Sequence, residues 1–145
     1  MAVVSVSQKY PAHSRTIAHA LLGSKMGAFS KNVIVVDEDI DPFNLDEVWW
    51  AMLSRLQASR GVTILQRGKT AFMDPSQSPE LQGFGDTLIV EAVKPYEWQP
   101  RPEWGNKRFP PVACPSKAIM ESVEKRWNEL GILSSEKSDP CKRME

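Results

Sequence analysis

The chain is poor in the residues that most often carry catalysis or staple a small fold. It has two cysteines, Cys114 and Cys141, and two histidines, His13 and His19, in 145 residues. Two cysteines cannot build a disulfide framework or a thiolate zinc site. No apolar run approaches the roughly 20 residues that a membrane-spanning helix requires. The start, Met-Ala-Val-Val-Ser-Val, lacks a charged n-region ahead of a long apolar stretch, so it is not a secretory signal. Charge of one sign is also missing: 18 Lys+Arg balance 18 Asp+Glu. A nucleic-acid binder displaces counterions with clustered positive charge, so nucleic acid is not an expected partner. No internal repeat stands at the usual periods. These absences describe a reduced, cytoplasmic protein of one domain, with no membrane segment.

What is present resembles the composition of an ordinary globular domain, with 41% hydrophobic and 25% charged residues. A chain of this size can bury about 68–70% of its unfolded surface, enough for a core without staples. Of 11 prolines, eight fall between Pro75 and Pro115, where each removes a donor and restricts the residue before it. From Ser134 the chain reads SSEKSDPCKRME, a composition that predicts a disordered tail over 134–145 behind a domain of residues 1–133.

Periodicity predicts strands and helices in alternation. Ala2–Gln8 alternates like a strand, and Pro11 opens a helix that carries Ile17, Ala18, Leu21 and Leu22 on one face before Gly23. Asn32–Val36 is a β-branched run of the kind buried on both faces. Asn44 followed by Glu47 predicts an N-cap pair for a helix expected to bury Val48, Trp49, Met52, Leu53 and Leu56. Val62–Leu65 and Thr87–Val93 are further strand candidates, and Ser116 caps a last amphipathic helix with Ile119, Val123, Trp127 and Leu130 on one side and Gly131 at its end. This order predicts an α/β fold: a small, mainly parallel sheet flanked by helices, with a proline-rich arm and a C-terminal helix.

Candidates for chemistry are few. Asp37, Glu38, Asp39 and Asp41 follow the buried run, at the carboxyl end of a strand, where open α/β sheets place ligands. Such carboxylates could hold Mg²⁺ or Ca²⁺; equally, they could cap the turn and face the positive end of the next helix. A response-regulator reading fails, because the later run Ile64-Leu65-Gln66-Arg67 ends without an aspartate. His13 and His19 are six apart, not the three or four that would turn both rings one way. Ser14, Ser24 and the cysteines lack the surroundings of a nucleophile, and each cysteine reads as a bystander. Lys25 stands between Gly23 and Gly27, where it could meet a phosphate or carboxylate or remain a solvated loop lysine. Tyr96, Trp98, Trp104 and Phe109 lie among prolines, either as an arm for a partner surface or folded back on their own core.

Three stretches carry a family resemblance. Pro11-Ala12-His13-Ser14-Arg15, the block from Lys31-Asn32-Val33 through Asp37-Glu38-Asp39-Ile40-Asp41-Pro42, and Asp46-Glu47-Val48-Trp49-Trp50-Ala51-Met52-Leu53-Ser54-Arg55 resemble the carboxy-terminal domain of UbiD-like decarboxylases. That family shows a valine-rich strand, an acidic loop of D-D-D-I-D type, and a helix reading E-V-x-W-A-x-x-x-R. Lys125-Arg126-Trp127-Asn128-Glu129-Leu130-Gly131-Ile132 is similar to its closing helix, so the likeness runs from about Val3 to Leu133.

The resemblance implies a carboxy-lyase acting on aromatic or α,β-unsaturated acids, with prenylated FMN, a divalent metal and a monovalent cation. In the family these are bound mainly by an earlier domain, which also carries a glutamate–arginine–glutamate network; no stretch of this chain resembles either. To the carboxy-terminal domain the resemblance assigns oligomerisation and one wall of the active site. It implies Lys25 as a cofactor-facing residue and Phe72 as a substrate-pocket residue, with neither a catalytic residue nor a metal ligand in this chain. The implied partners are a cofactor-binding UbiD-like chain or domain and further copies of this chain. Where many members read a Cys-x-Pro-type sequence after the helix arginine, this chain has Leu56-Gln57-Ala58-Ser59-Arg60-Gly61, which leaves the pocket shape open. The alternative is an inactive stand-alone oligomerisation module.

Overall fold

A β-branched run at the centre organises the fold. The structure is a computed structural model that describes residues 1–126, 129 and 130. The chain runs β1 (Ala2–Val6), α1 (His13–Leu22), β2 (Asn32–Asp37), α2 (Leu45–Arg55), a single-turn α3 (Ala58–Gly61), β3 (Val62–Lys69), β4 (Phe84–Ala92) and α4 (Lys117–Lys125). Residues 1–109 form one compact unit, and the chain from Pro110 belongs to a second. Among the described residues no helix is long and apolar enough to cross a membrane.

Four strands form one sheet in the order β1-β2-β4-β3. β2 pairs in parallel with β1 and β4, with Val33 opposite both Ala2 and Ile89. β3 joins β4 antiparallel at the edge. The fold is therefore the predicted α/β class, mainly parallel with one reversed strand. Because side chains alternate along a strand, β2 feeds two cores. Val33 and Val35 pack with Ala18, Ile17 and Leu21 of α1 and with Ile89. Ile34 and Val36 pack with Val48 and Ala51 of α2 and with Val90 and Ala92. The expectation of a strand buried on both faces holds.

Caps follow the sequence where a side chain can reach a free amide. Asn44 Oδ1 accepts from the Asp46 N–H (3.2 Å), and Asn44 Nδ2 donates to Glu47 Oε1 (3.0 Å). Ser116 Oγ accepts from the Ile119 N–H at the start of α4 (3.4 Å). α1 starts at His13, two residues after Pro11, because Ala12 takes the left-handed conformation (φ 62°) and breaks the helical path before it. β3 runs past the predicted Leu65 to Lys69 through a register shift, in which Arg67 adopts φ 55° and its N–H donates to Asp86 Oδ1 (3.1 Å).

Three expectations need correction. Trp49 and Leu53 are not core residues: they are 59% and 84% exposed. α2 turns Val48, Ala51 and Arg55 inward, and Trp50, not Trp49, packs against the core. At 3.6 residues per turn a one-residue step rotates a side chain by about 100°, so adjacent tryptophans cannot share one face. Second, Cys114 is disulfide-bonded and not a bystander thiol. Third, α4 ends at Lys125, short of Gly131, with Arg126 as its cap. Trp127, Gly131 and the 134–145 tail lie outside the described residues.

Candidate functional site

The sheet has two ends of different chemistry. At the carboxyl end of the parallel strands, Asp37 closes β2, Asp39 follows in the loop, Arg55 ends α2, and Gln8 and Lys94 follow β1 and β4 by two residues. Arg55 Nη1 donates to Asp37 Oδ2 (2.9 Å) and Asp39 Oδ1 (2.8 Å), and Nη2 donates to Asp39 Oδ2 (2.8 Å). Lys94 adds its N–H to Asp37 Oδ2 (2.7 Å) and its Nζ to Asp39 Oδ2 (2.7 Å), while Gln8 Nε2 donates to Asp37 Oδ1 (2.9 Å). Arg55 is only 3% exposed and lies 5.1 Å from the Trp50 ring centroid. Burial pushes the Asp37 carboxyl above its ordinary value despite the Lys94 amide, Gln8 and Arg55. Burial also pushes on Asp39, but hydrogen bonds from Arg55 and Lys94 win and hold it low.

This network takes up Asp37 and Asp39 of the acidic loop and leaves Glu38 exposed. The buried Asp37 and the half-buried Asp39 are both paired with cations, and Asp41 Oδ1 accepts from the Phe43 N–H (3.0 Å). Among the described residues no group of three His, Cys, Asp or Glu could hold a metal ion. Asp41 alone follows the turn-capping reading; Asp37 and Asp39 instead pair with Arg55 and Lys94, partners that sequence reasoning missed. The signal for Arg55 was its spacing: it continues the inward face of Val48 and Ala51 by one turn.

A second buried pair ties α1 to the sheet. Ser14 Oγ donates to Glu91 Oε2 (2.6 Å), Arg15 Nε to Glu91 Oε1 (2.8 Å), and Arg15 Nη2 to the Arg60 carbonyl (2.8 Å). His13 Nδ1 accepts from the Lys9 N–H (3.3 Å) and its ring lies 4.3 Å from that of Tyr10. The Ser14 hydroxyl thus bonds a carboxylate while the His13 ring bonds the Lys9 N–H, which is scaffold geometry. The aromatic arm folds back within its own unit: Trp98 stacks with Phe109 and lies beside Trp104 (6.1 Å each), Arg60 sits 5.9 Å from the Trp98 ring, and Tyr96 Oη donates to the Lys9 carbonyl (2.9 Å).

The opposite, amino end of the parallel strands gathers the two residues the resemblance assigned. Lys25 lies between α1 and β2, and Phe72 lies between β3 and β4. Because β3 is antiparallel, its last residue Lys69 pairs with Phe84 at the start of β4, which brings the 70–83 loop to the same edge as Lys25. Lys25 is exposed and has no ion-pair partner among the described residues. Its flanking Gly27 serves the fold: a Cβ there would stand 1.9 Å from the Leu21 carbonyl oxygen. Ser24 tightens the same turn, donating to the Leu21 carbonyl (2.7 Å) and accepting from the Gly27 N–H (3.0 Å). Phe72 is 66% exposed, and Met73 beside it in sequence and Phe84 at the start of β4 are exposed as well. The amino end of the sheet thus carries an exposed cation in one loop and exposed apolar side chains in another.

A model of the 3-octaprenyl-4-hydroxybenzoate carboxy-lyase C-terminal domain (UbiD_C) matches residues 1–92. The chain belongs to the UbiD family. Its UbiD-family relatives include a phenolic acid decarboxylase of Sedimentibacter hydroxybenzoicus, 34% identical over 110 residues, which are 75% of this chain and 22% of the relative. The closed form of vanillic acid decarboxylase from the same organism superposes with a TM-score of 0.67 and 31% identity over 90% of this chain and 26% of that one. HmfF from Pelotomaculum thermopropionicum, a UbiD-class enzyme in complex with FMN, gives a TM-score of 0.63 and 25% identity over 84% of this chain and 25% of that one. This UbiD chain thus spans about a quarter of the length of the relatives it matches.

Proposed function

We propose that the chain is the carboxy-terminal part of a carboxy-lyase for aromatic or α,β-unsaturated acids, and that its amino edge is one wall of the active site. The supporting observation is that a reversed β3 places Lys25 and Phe72 on one edge, unburied and, for Lys25, unpaired. Prenylated FMN, with a divalent metal and a monovalent cation, belongs in this reading to the portion of the enzyme outside this chain. The described residues offer no metal donor set, so no step is assigned to a metal here. When bound, prenylated FMN supplies the electron sink for the carbon that loses CO₂. This chain's own residues bind and exclude: the Lys25 ammonium draws an anionic group of cofactor or substrate to the edge, and Phe72 keeps water from the ring face. The decarboxylase from Sedimentibacter is known in open and closed forms, which supports a closing movement for this portion. The partner is a cofactor-binding UbiD-like chain or domain, and the assembly contains more than one copy of this chain.

The test is turnover by the assembled enzyme with Lys25→Met or Phe72→Ala in this portion. The reading expects kcat/KM for vanillic acid to fall by roughly tenfold or more, about 1.4 kcal/mol of transition-state binding. Unchanged kcat/KM in both variants would remove the amino edge from the active site.

A second reading, a stand-alone interaction module, is favoured by one feature. Leu45, Trp49 and Leu53 form an exposed stripe at helical spacing on α2, with Phe43 exposed just before it. It predicts self-association with no flavin in the complex.

A further inference from the structure

The 70–83 loop carries Phe72 and Met73 outward, 66% and 91% exposed, so burial of its own apolar groups does not hold its shape. Polar tethers do. At its neck the Thr70 N–H donates to the Gly83 carbonyl (3.0 Å), the Gly83 N–H donates to Gln77 Oε1 (3.0 Å), and Gln77 Nε2 donates to Thr70 Oγ1. Gly85 makes room for this neck: a Cβ there would lie 2.8 Å from Gln77 Nε2. Gly83 is left-handed (φ 86°), and a Cβ on it would meet the Phe72 ring at 3.5 Å.

Across the tip runs a crossbar from another segment. Lys31 Nζ donates to Asp74 Oδ1 (3.0 Å) and Ser76 Oγ (2.6 Å), and lies 2.9 Å from Asp74 Oδ2. Asp74 Oδ1 also accepts from the N–H (3.0 Å) and the hydroxyl (2.8 Å) of Ser76. Lys31 is itself fixed, because its carbonyl accepts from the Leu88 N–H of β4 (3.0 Å). Lys31 directly precedes β2, six residues after Lys25, and Phe29 of the same segment has its ring 5.1 Å from Nζ of Lys69 at the end of β3. The loop is therefore fastened to the strand-entry segment that carries Lys25.

We propose that Lys31 is a positioning residue, whose bridge to Asp74 and Ser76 holds Phe72 and Met73 against the ring of the acid bound at the Lys25 edge. This rests on the reading of that edge as an active-site wall. Lys31 touches neither substrate nor cofactor; it fixes the distance between an apolar contact and a cation. Met73, which nothing in the sequence singled out, becomes a specificity residue, because a flexible thioether side chain adapts to ring substituents.

The test uses the assembled, flavin-loaded enzyme carrying Lys31→Met or Lys31→Arg, with vanillic acid as the probe. Amide exchange over residues 71–77 is expected to quicken roughly three- to tenfold in Lys31→Met, and the KM for vanillic acid to rise about fivefold with kcat held within about twofold. Lys31→Arg keeps a cation in reach of Asp74 and restores most of both. Unchanged exchange in Lys31→Met overturns the bridge as a positioning device, whatever the enzyme turns over. Faster exchange with an unchanged KM overturns the placement of this edge at the substrate, and with it the reading beneath.

Discussion

Both ends of this sheet carry paired charges, but the amino end also leaves a lysine, Lys25, without an ion-pair partner among the described residues. At the carboxyl end Asp37, Asp39, Arg55 and Lys94 satisfy one another, and the most basic of them is buried. At the amino end Lys25 stands free on a turn while Phe72, Met73 and Phe84 remain exposed. A conspicuous acidic motif at the end where α/β sheets usually bind ligands is therefore scaffold, and an inconspicuous lysine at the other end is the candidate for function. Charges already paired and desolvated are set to hold a fold; unpaired charge beside unburied apolar surface is set to meet something else.

The sharpest break in that comparison is at Arg55. Arg55→Met should destabilise the protein by about 3–5 kcal/mol, because two carboxylates lose their buried counter-charge. Urea unfolding measures it, and a loss below about 1 kcal/mol would mean that water reaches the network. At the amino edge the opposite pattern is expected: Lys25→Met should leave stability within about 0.5 kcal/mol while lowering the kcat/KM of the assembled enzyme about tenfold.

Acid titration separates the ends as well. Asp39 is held low, so its stabilisation is present above the ordinary aspartate value and is lost as pH falls through its lower folded value. Asp37 is raised, and its contribution runs the other way: stability declines as pH rises from the ordinary value through its higher folded value. Urea midpoints between pH 2 and 7 should show Asp39→Asn losing the acid-side slope, whereas Asp37→Asn loses the opposing one. Hydrogen bonds from Ser76 and Lys31 bring Asp74 down to about 2, so the Lys31 bridge should persist to nearly that pH. Amide exchange over 71–77 in acid checks it.

Smaller effects lie in the backbone and on the outer face of α2. Ala12→Gly should raise stability by about 1 kcal/mol, since a left-handed conformation costs an L-residue that much and a glycine almost nothing. A thermal melt that falls instead would mean that the Ala12 methyl makes a contact of greater worth. Trp49→Ala should cost less than about 1 kcal/mol, the range for surface changes, against 3–5 kcal/mol for a buried tryptophan.

Residues whose role is set by their neighbours in sequence were legible. Val33–Val36 announced a doubly buried strand, Asn44 with Glu47 announced a cap, and Ser116 announced another. Roles set across the chain were not. Arg55 finds Asp37 18 residues away, and Lys94 finds it 57 away, so composition presented the acids without their partners. Trp49 and Trp50 differ by one step of helical phase, which periodicity alone did not resolve over three turns. The direction of β3 left no local mark, because its link to β4 is a long loop and not a tight hairpin turn. Without that direction, nothing in the sequence places Phe72 at the same end of the sheet as Lys25; family resemblance named both residues, and the antiparallel edge strand is what puts them at one end.

The central claim is that the amino edge serves a flavin-dependent active site completed by another portion of the enzyme. Native mass spectrometry of the chain purified from its own source tests it most directly. The account predicts a complex with a UbiD-like chain or domain carrying the mass of prenylated FMN; a homo-oligomer free of flavin and of any such portion would contradict it.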